Sequence, residues 1–133
     1  MKHLLLVLVL IATMFGLSSQ VHASAAADQW HDLALEVGWT QAQWPWLACT
    51  IERESHGDPQ AFNGNDPGYG SFGLMQLNIG RRMWQRWGWT VGFDMDQMFD
   101  PQVNLEHALD LYTIAARGGR GDGRSPWGRG CRR

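Results

Sequence analysis

A helical run that ends on a carboxylate and then breaks into a turn constrains this chain more than any other stretch. Between Trp39 and Ser55 the apolar residues Leu47, Ala48 and Ile51 recur at the spacing of one helix face. Thr40 suits the cap and Pro45 fits the first turn. After Glu54-Ser55 comes His56-Gly57-Asp58-Pro59, a sequence that helices do not continue through. The pattern predicts a core helix whose last turn carries an acid to the edge of a loop-built cleft. Glu52 and Glu54 are two positions apart and project about 200° from one another, so both cannot face that cleft. Glu54, at the exit, is the one assigned to chemistry.

The rest of the chain reads as α-rich with a small β element. Trp30, Leu33, Ala34 and Val37 follow helical spacing across Ala26 to Val37, and Gly38 stops them. His56 to Phe72 is loop, dense in Gly, Asn, Asp and Pro, and long enough to form a functional wall. Gly73 to Leu77 suggests a small strand or hairpin, and Arg81 to Trp87 a short helix closed by Gly88-Trp89. Asp100-Pro101 is a strong helix start, Asp as cap and Pro at the first helical position; Val103, Leu105, Ala108, Leu109 and Tyr112 form its buried face up to about Arg117. A glycine-rich run then leads to Ser125-Pro126-Trp127.

Residues 1–23 read as a secretory signal: a basic start at Lys2-His3, an apolar run from Leu4 to Leu17, and small residues around Val21-His22-Ala23. The run is short of the roughly 20 residues of a membrane span, so the expectation is a cleaved leader and no stable membrane insertion, with an uncleaved anchor as the alternative. Either way the domain, residues 24–133, works outside the cytoplasm, in the periplasm, cell envelope or extracellular space. That length suits one domain with one core, expected to be monomeric. A net charge of −2 does not suggest a nucleic-acid partner, although Arg117, Arg120, Arg124, Arg129, Arg132 and Arg133 crowd the last stretch. Such a basic tail suits either an anionic cell wall or a solvated terminus. Cys49 and Cys131 are the two cysteines, and an even pair in an exported chain usually forms a disulfide, free thiols being the alternative. The bridge would hold the segment from Trp127 onward beside the helix that carries Glu54. His31, His56 and His107 are scattered, with no metal-binding or calcium-loop motif, and no cofactor is implied.

Glu54-Ser55, Pro59, Ala61 and Gly73-Leu74-Met75-Gln76 stand in order within about two dozen residues. A Phe-Asp-Pro-x-x-Asn-Leu helix start follows at Phe99-Asp100-Pro101 to Asn104-Leu105. This ordered set resembles the soluble lytic transglycosylase domain, of the lysozyme-like group, over roughly Trp44 to Leu111. The resemblance implies a mainly α, α+β lysozyme-like fold and cleavage of peptidoglycan glycan strands by a single acid. Glu54 would protonate the leaving oxygen, then take the proton of the C6 hydroxyl of the same N-acetylmuramyl residue, giving a 1,6-anhydro end without water. Proton delivery near neutral pH wants a carboxyl group whose pKa is raised, and burial among Ile51, Phe72 and Met75 is expected to supply that. The resemblance also implies that Gln76 and Asn78 line the sugar site, with Asn63 at a position where the family has a small polar residue.

Among the aromatics, eight tryptophans are many for this length. Tyr69, Trp84, Trp87, Trp89 and Trp127 are candidate sugar platforms, with Tyr69 and Trp127, in glycine-rich loops, the better placed; Trp44, Trp46 and Trp84 suit packing. Ser55 suits bracing the helix end more than touching substrate. The chain departs from the family where many members carry Ala-Tyr-Asn-Ala-Gly, since Tyr112-Thr113-Ile114-Ala115-Ala116 does not match it, and in the added Asn65 to Tyr69 segment. Trp127 is then a candidate to stand beside Glu54 in place of the missing tyrosine. Two alternatives stay open: a lysozyme-type hydrolase, in which Asp58, Asp66, Asp94 or Asp96 positions a water, and a secreted wall-binding module without turnover.

Overall fold

The structure, a computed structural model, describes residues 25–89, 94–118 and 122–131. The predicted leader and Arg120, Arg132 and Arg133 lie outside them. Five α-helices are described: α1 (Ala25–Asp28), α2 (His31–Glu36), α3 (Trp44–Ser55), α4 (Arg81–Trp87) and α5 (Pro101–Arg117). Three two-residue strands, β1 (Phe62–Asn63), β2 (Ser71–Phe72) and β3 (Leu77–Asn78), form an antiparallel sheet in the order β1-β2-β3. Short 3₁₀ turns stand at Met95–Phe99 and Ser125–Trp127. The mainly α character with a small β element agrees with the sequence expectation.

α3 is the central helix. Trp44, Leu47, Ala48, Ile51 and Ser55 form a buried stripe, widened by Trp46 and Thr50, so most of its surface is enclosed. Its entry is a capping arrangement: Thr40 Oγ1 accepts from the Gln43 backbone N–H, and the Gln43 side chain accepts from the Thr40 N–H at 2.9 Å. The regular helix begins at Trp44, five residues after the start expected from the sequence, because Thr40 to Gln43 is spent on this turn.

The single helix expected over Ala26 to Val37 is two helices. Trp30 sits at the break, its indole N–H donating to the carbonyl of Gly57 at 3.0 Å, which ties α1 and the start of α2 to the turn after α3. Gly38 does end α2, with φ +108°; the Trp39 N–H bonds Ala34 O and the Gly38 N–H bonds Leu35 O. These paired bonds are the Schellman arrangement, and they send buried Trp39 into the core, where its indole donates to Leu105 O of α5 at 3.1 Å.

Of the strand or hairpin expected at Gly73 to Leu77, the structure has the hairpin: Gly73 to Gln76 is the turn between β2 and β3, and Leu77 opens β3. Gly73 has φ +70° and Gln76 φ +44°, a conformation no strand can hold. The turn is held from α5. Asn104, wholly buried, accepts from the Met75 N–H at 2.9 Å and donates its amide to Phe72 O at 3.0 Å and Met98 O at 2.9 Å. Gly73 is required here for a second reason, since a Cβ would run into Met98 O and the Asn104 amide. α5 itself starts as expected, the Asp100 carboxylate accepting from the Val103 N–H at 3.1 Å with Pro101 in the first turn.

Trp87 and Trp89, read above as candidate sugar platforms, are core residues at 8 % and 3 % exposure. α4 packs on α5, which turns these indoles inward. Trp44 and Trp46 are buried as expected.

Replacing Asn104 by Leu keeps much of the volume but strands two buried carbonyls and one N–H. At about 1–3 kcal/mol for each unsatisfied buried group, the unfolding free energy should fall by about 3 kcal/mol or more, read from urea denaturation. An unchanged midpoint would mean that the turn finds other partners.

Candidate active site

The last turn of α3 opens on a cavity of about 530 Å³. Its floor is Glu54, Ser55 and His56; one wall comes from the sheet and its loops, and the other from Pro126 and Trp127 near the C-terminus.

The end of α3 is locked by its own side chains. Ser55 Oγ donates to Ile51 O at 3.0 Å and accepts from the Gly57 N–H at 3.2 Å, so the hydroxyl braces the turn. His56 terminates the helix in the left-handed region at φ 52°, with its ring mostly exposed and 3.5 Å from Glu52 Oε1. Glu54 lines the cavity and Glu52 does not.

The surroundings of Glu54 differ from the apolar burial expected. Ile51, Phe72 and Met75 turn into the core, while a quarter of the Glu54 side chain is exposed. Arg53 donates to Glu54 Oε1 through Nε at 3.0 Å and through Nη2. The same Nη2 donates to the Trp127 carbonyl at 2.6 Å. Oε2 takes no bond from the described residues. Arg53 thus links the acid to the C-terminal wall.

That wall has two further anchors. Cys49 and Cys131 form a disulfide, with Cα atoms 5.8 Å apart. Cys49 and Arg53 are one helical turn apart and share a face of α3, so the disulfide and the guanidinium hold the same strap at two successive levels. Across the cavity floor, the Trp127 indole donates to Met75 O at 2.8 Å and its ring meets Trp46 edge-on at 5.5 Å.

The opposite wall carries most of the polar residues named from the sequence. Gln76 lines the cavity and spends both amide hydrogens on backbone, at Ala61 O (3.0 Å) and Gly73 O (3.1 Å). Asn78 also lines it and donates to Pro67 O, Gly70 O and Ser71 Oγ at 3.0 to 3.3 Å, pinning the Asn65 to Tyr69 segment. Asn63, in β1, accepts from the Asn65 N–H at 3.1 Å. The amide oxygens of Gln76 and Asn78 accept nothing from the described residues, and Asn63 makes no amide N–H donation to them. Tyr69 is 59 % exposed and is not among the lining residues. Of the four aspartates considered as second acids, Asp66 alone lines the cavity; it accepts from Ser71 Oγ at 2.5 Å.

Phe62 is a lining residue that sequence reading passed over. It is 56 % exposed, a large apolar ring on the sheet wall. The available signal was a phenylalanine standing alone between polar and glycine-rich residues, with no periodic apolar partner to place it in a core.

The family model for the transglycosylase SLT domain matches residues 36–119, a span that takes in Glu54, Gln76, Asn78 and Asn104 and stops before the Trp127 wall. No curated protein matches the chain.

Replacing Cys49 and Cys131 together by Ala removes a covalent closure across 82 residues. A loss of about 2–5 kcal/mol in stability is expected, measured by thermal unfolding of the oxidised chain and the variant. Equal melting temperatures would show that Arg53 and Trp127 hold the strap without the bridge.

Proposed function

Since this chain belongs to the transglycosylase SLT domain family, whose activity is lytic cleavage of peptidoglycan, we propose that it breaks the β-1,4 bond between N-acetylmuramyl and N-acetylglucosaminyl residues with Glu54 as its one acid and base. The observation that carries this is the place of Glu54: it stands at the locked end of the central helix, on the floor of a cavity whose walls present amide and aromatic side chains.

In the proposed first step, protonated Glu54 gives its proton to the bridging oxygen. The bond from C1 to that oxygen breaks, its electron pair leaves with the oxygen, and positive charge develops on C1 and the ring oxygen. Arg53 engages Oε1, so Oε2 is the oxygen left to carry the proton. The N-acetyl carbonyl of the same sugar is the nearest electron-rich group to meet that charge. In the second step the Glu54 carboxylate takes the proton of the C6 hydroxyl, O6 bonds to C1, and a 1,6-anhydro ring closes. No water is consumed, and Glu54 ends protonated, as it began.

Several side chains support the strand in this reading. Gln76 and Asn78 offer amide oxygens to hydroxyl and acetamido hydrogens, since their N–H groups serve the fold. Asn63, whose own amide oxygen serves the loop, offers its NH₂. Trp127 offers ring area at the far wall. Tyr69, beside the cavity and not in it, would meet only a strand long enough to pass over the sheet. The chain would reach peptidoglycan after export through its N-terminal signal and act on it as a monomer, outside the cytoplasm.

Asp66 favours a second reading. A carboxylate on the cavity wall, held by Ser71, is what a hydrolase uses to direct water at the sugar.

Mass spectrometry of products from purified peptidoglycan separates the two. Anhydro-muropeptides, about 18 Da lighter than hydrolysed ones by one water, are expected from the chain, and Glu54→Gln should lower their formation by about 10²–10⁴-fold. Reducing-end products that disappear with Asp66→Asn would establish the hydrolase instead. Binding without products would leave a wall-binding module.

A further inference from the structure

Phe62 is the most exposed large apolar side chain lining the cavity, and several independent features hold it there. In the sheet it pairs in register with Phe72, and the two rings stand 4.9 Å apart at 48°. Phe72 is buried and in turn meets Phe99 at 5.5 Å, so the inner side of Phe62 rests on a stack that leads into the core. Its outer edge lies between two glycines. A Cβ on Gly64 would stand 3.0 Å from Cε1, and one on Gly70 would stand 2.7 Å from Cε2 and 3.2 Å from Cζ. Gly70 also has φ +97°, so this position excludes side chains on both steric and conformational grounds. The backbone just before the ring is fixed as well, Ala61 O accepting from the Gly73 N–H at 2.8 Å and from the Gln76 amide at 3.0 Å.

The ring is therefore seated and yet more than half exposed. Burying a phenylalanine is worth about 1.5–3 kcal/mol, and the core through Phe72 and Phe99 is adjacent, yet the sheet holds this ring out over the cavity. The gap between Gly64 and Gly70 accommodates the edge of the ring, and more than half of the residue stays exposed.

We infer that Phe62 is a sugar platform: one pyranose ring of the glycan strand lies with its C–H face on this phenyl ring, opposite the Trp127 wall. The aliphatic face of an N-acetylated hexosamine is apolar, carries its hydroxyl groups at the rim, and matches a flat ring flanked by backbone. Gln76, tied to Ala61 O, sets the distance between this platform and the amides of the same wall. The inference rests on the reading that the cavity takes a glycan strand. It adds a residue whose work is binding and not proton transfer.

The test compares Phe62→Leu, Phe62→Ala and Phe62→Trp, each with and without Glu54→Gln. Co-sedimentation with purified peptidoglycan sacculi measures affinity in the Glu54→Gln chains, so turnover does not interfere. Leu and Ala should weaken binding about tenfold, and Trp, which restores a flat aromatic face, should bind within about twofold of Phe. In the chains that keep Glu54, KM should rise by a similar factor with kcat nearly unchanged. A purely structural ring would instead lower the melting temperature and reduce kcat in step with the folded fraction. The inference is overturned if Phe62→Leu binds sacculi as well as Phe62 does, or if the chain with Phe62 intact does not bind them. Turnover that survives Glu54→Gln would sink the acid assignment alone, because the Phe62 comparison reads binding.

Discussion

The buried amide of Asn104 is the constraint on which the site depends. One side chain, fully removed from solvent, satisfies a carbonyl at the end of β2, a carbonyl at the 3₁₀ turn before α5, and the N–H of Met75. In a low-dielectric interior such a set is stable only if every member is paired, and here each bond joins a different segment. The sheet strands are two residues long, too short to hold their own shape. Their geometry is borrowed from α5 through this amide, and Gly73 is the residue that lets the backbone come close enough. Gln76 then inherits its place in the cavity from a turn that Asn104 holds.

The two walls solve the same positional problem by different chemistry. The sheet wall is held by hydrogen bonds from Asn104, Gln76 and Asn78, all of them amides serving backbone carbonyls. The C-terminal wall has no sheet to join. It is held by a covalent bond to Cys49, by Arg53, and by the Trp127 indole on Met75 O. Because Cys49, Arg53 and Glu54 lie within six residues of one helix, a shift of that wall reaches the acid through a single side chain. The family match ends at residue 119, so this wall is made from sequence beyond the matched domain.

Much of this was legible in the residues because the signals were local. Asp100-Pro101 declares a helix start through an orphan N–H and a missing one, and Gly38 declares a stop through its freedom at positive φ. The cysteine pair followed from there being just two in a chain with a leader-like start. What was not legible depended on partners far away in sequence. Gly73 to Leu77 reads as strand or hairpin, and what decides for the turn is distant: Gln76, a non-glycine residue at positive φ, bonds Ala61 O fifteen residues back, and Asn104 holds the turn from α5. The break at Trp30 exists because its indole reaches Gly57, 27 residues on. Trp87 and Trp89 could not be told from cleft tryptophans until α4 was seen against α5. Arg53 was hidden for a subtler reason: side chains at adjacent helix positions do not ordinarily face each other, and this pair meets only where the helix is ending.

The surroundings of Glu54 bear on how such an acid can work. A carboxyl group sealed among apolar side chains would be isolated from substrate as well as from water, and α3 avoids this by turning Ile51 inward and leaving Glu54 on the cavity floor with a quarter of its side chain exposed. Orientation is then the task, since an exposed glutamate has three rotatable bonds and an entropy cost for every step that needs one geometry. The Arg53 fork on Oε1 removes much of that freedom, and it does so without occupying Oε2. A strand seated against Phe62 on one wall and Trp127 on the other would bring its glycosidic oxygen to a carboxyl group already held by one edge. In the proposed reaction, preorganisation of this kind would come from the fold at no cost in the reaction step, and the residues that hold the walls would matter as much as the acid between them.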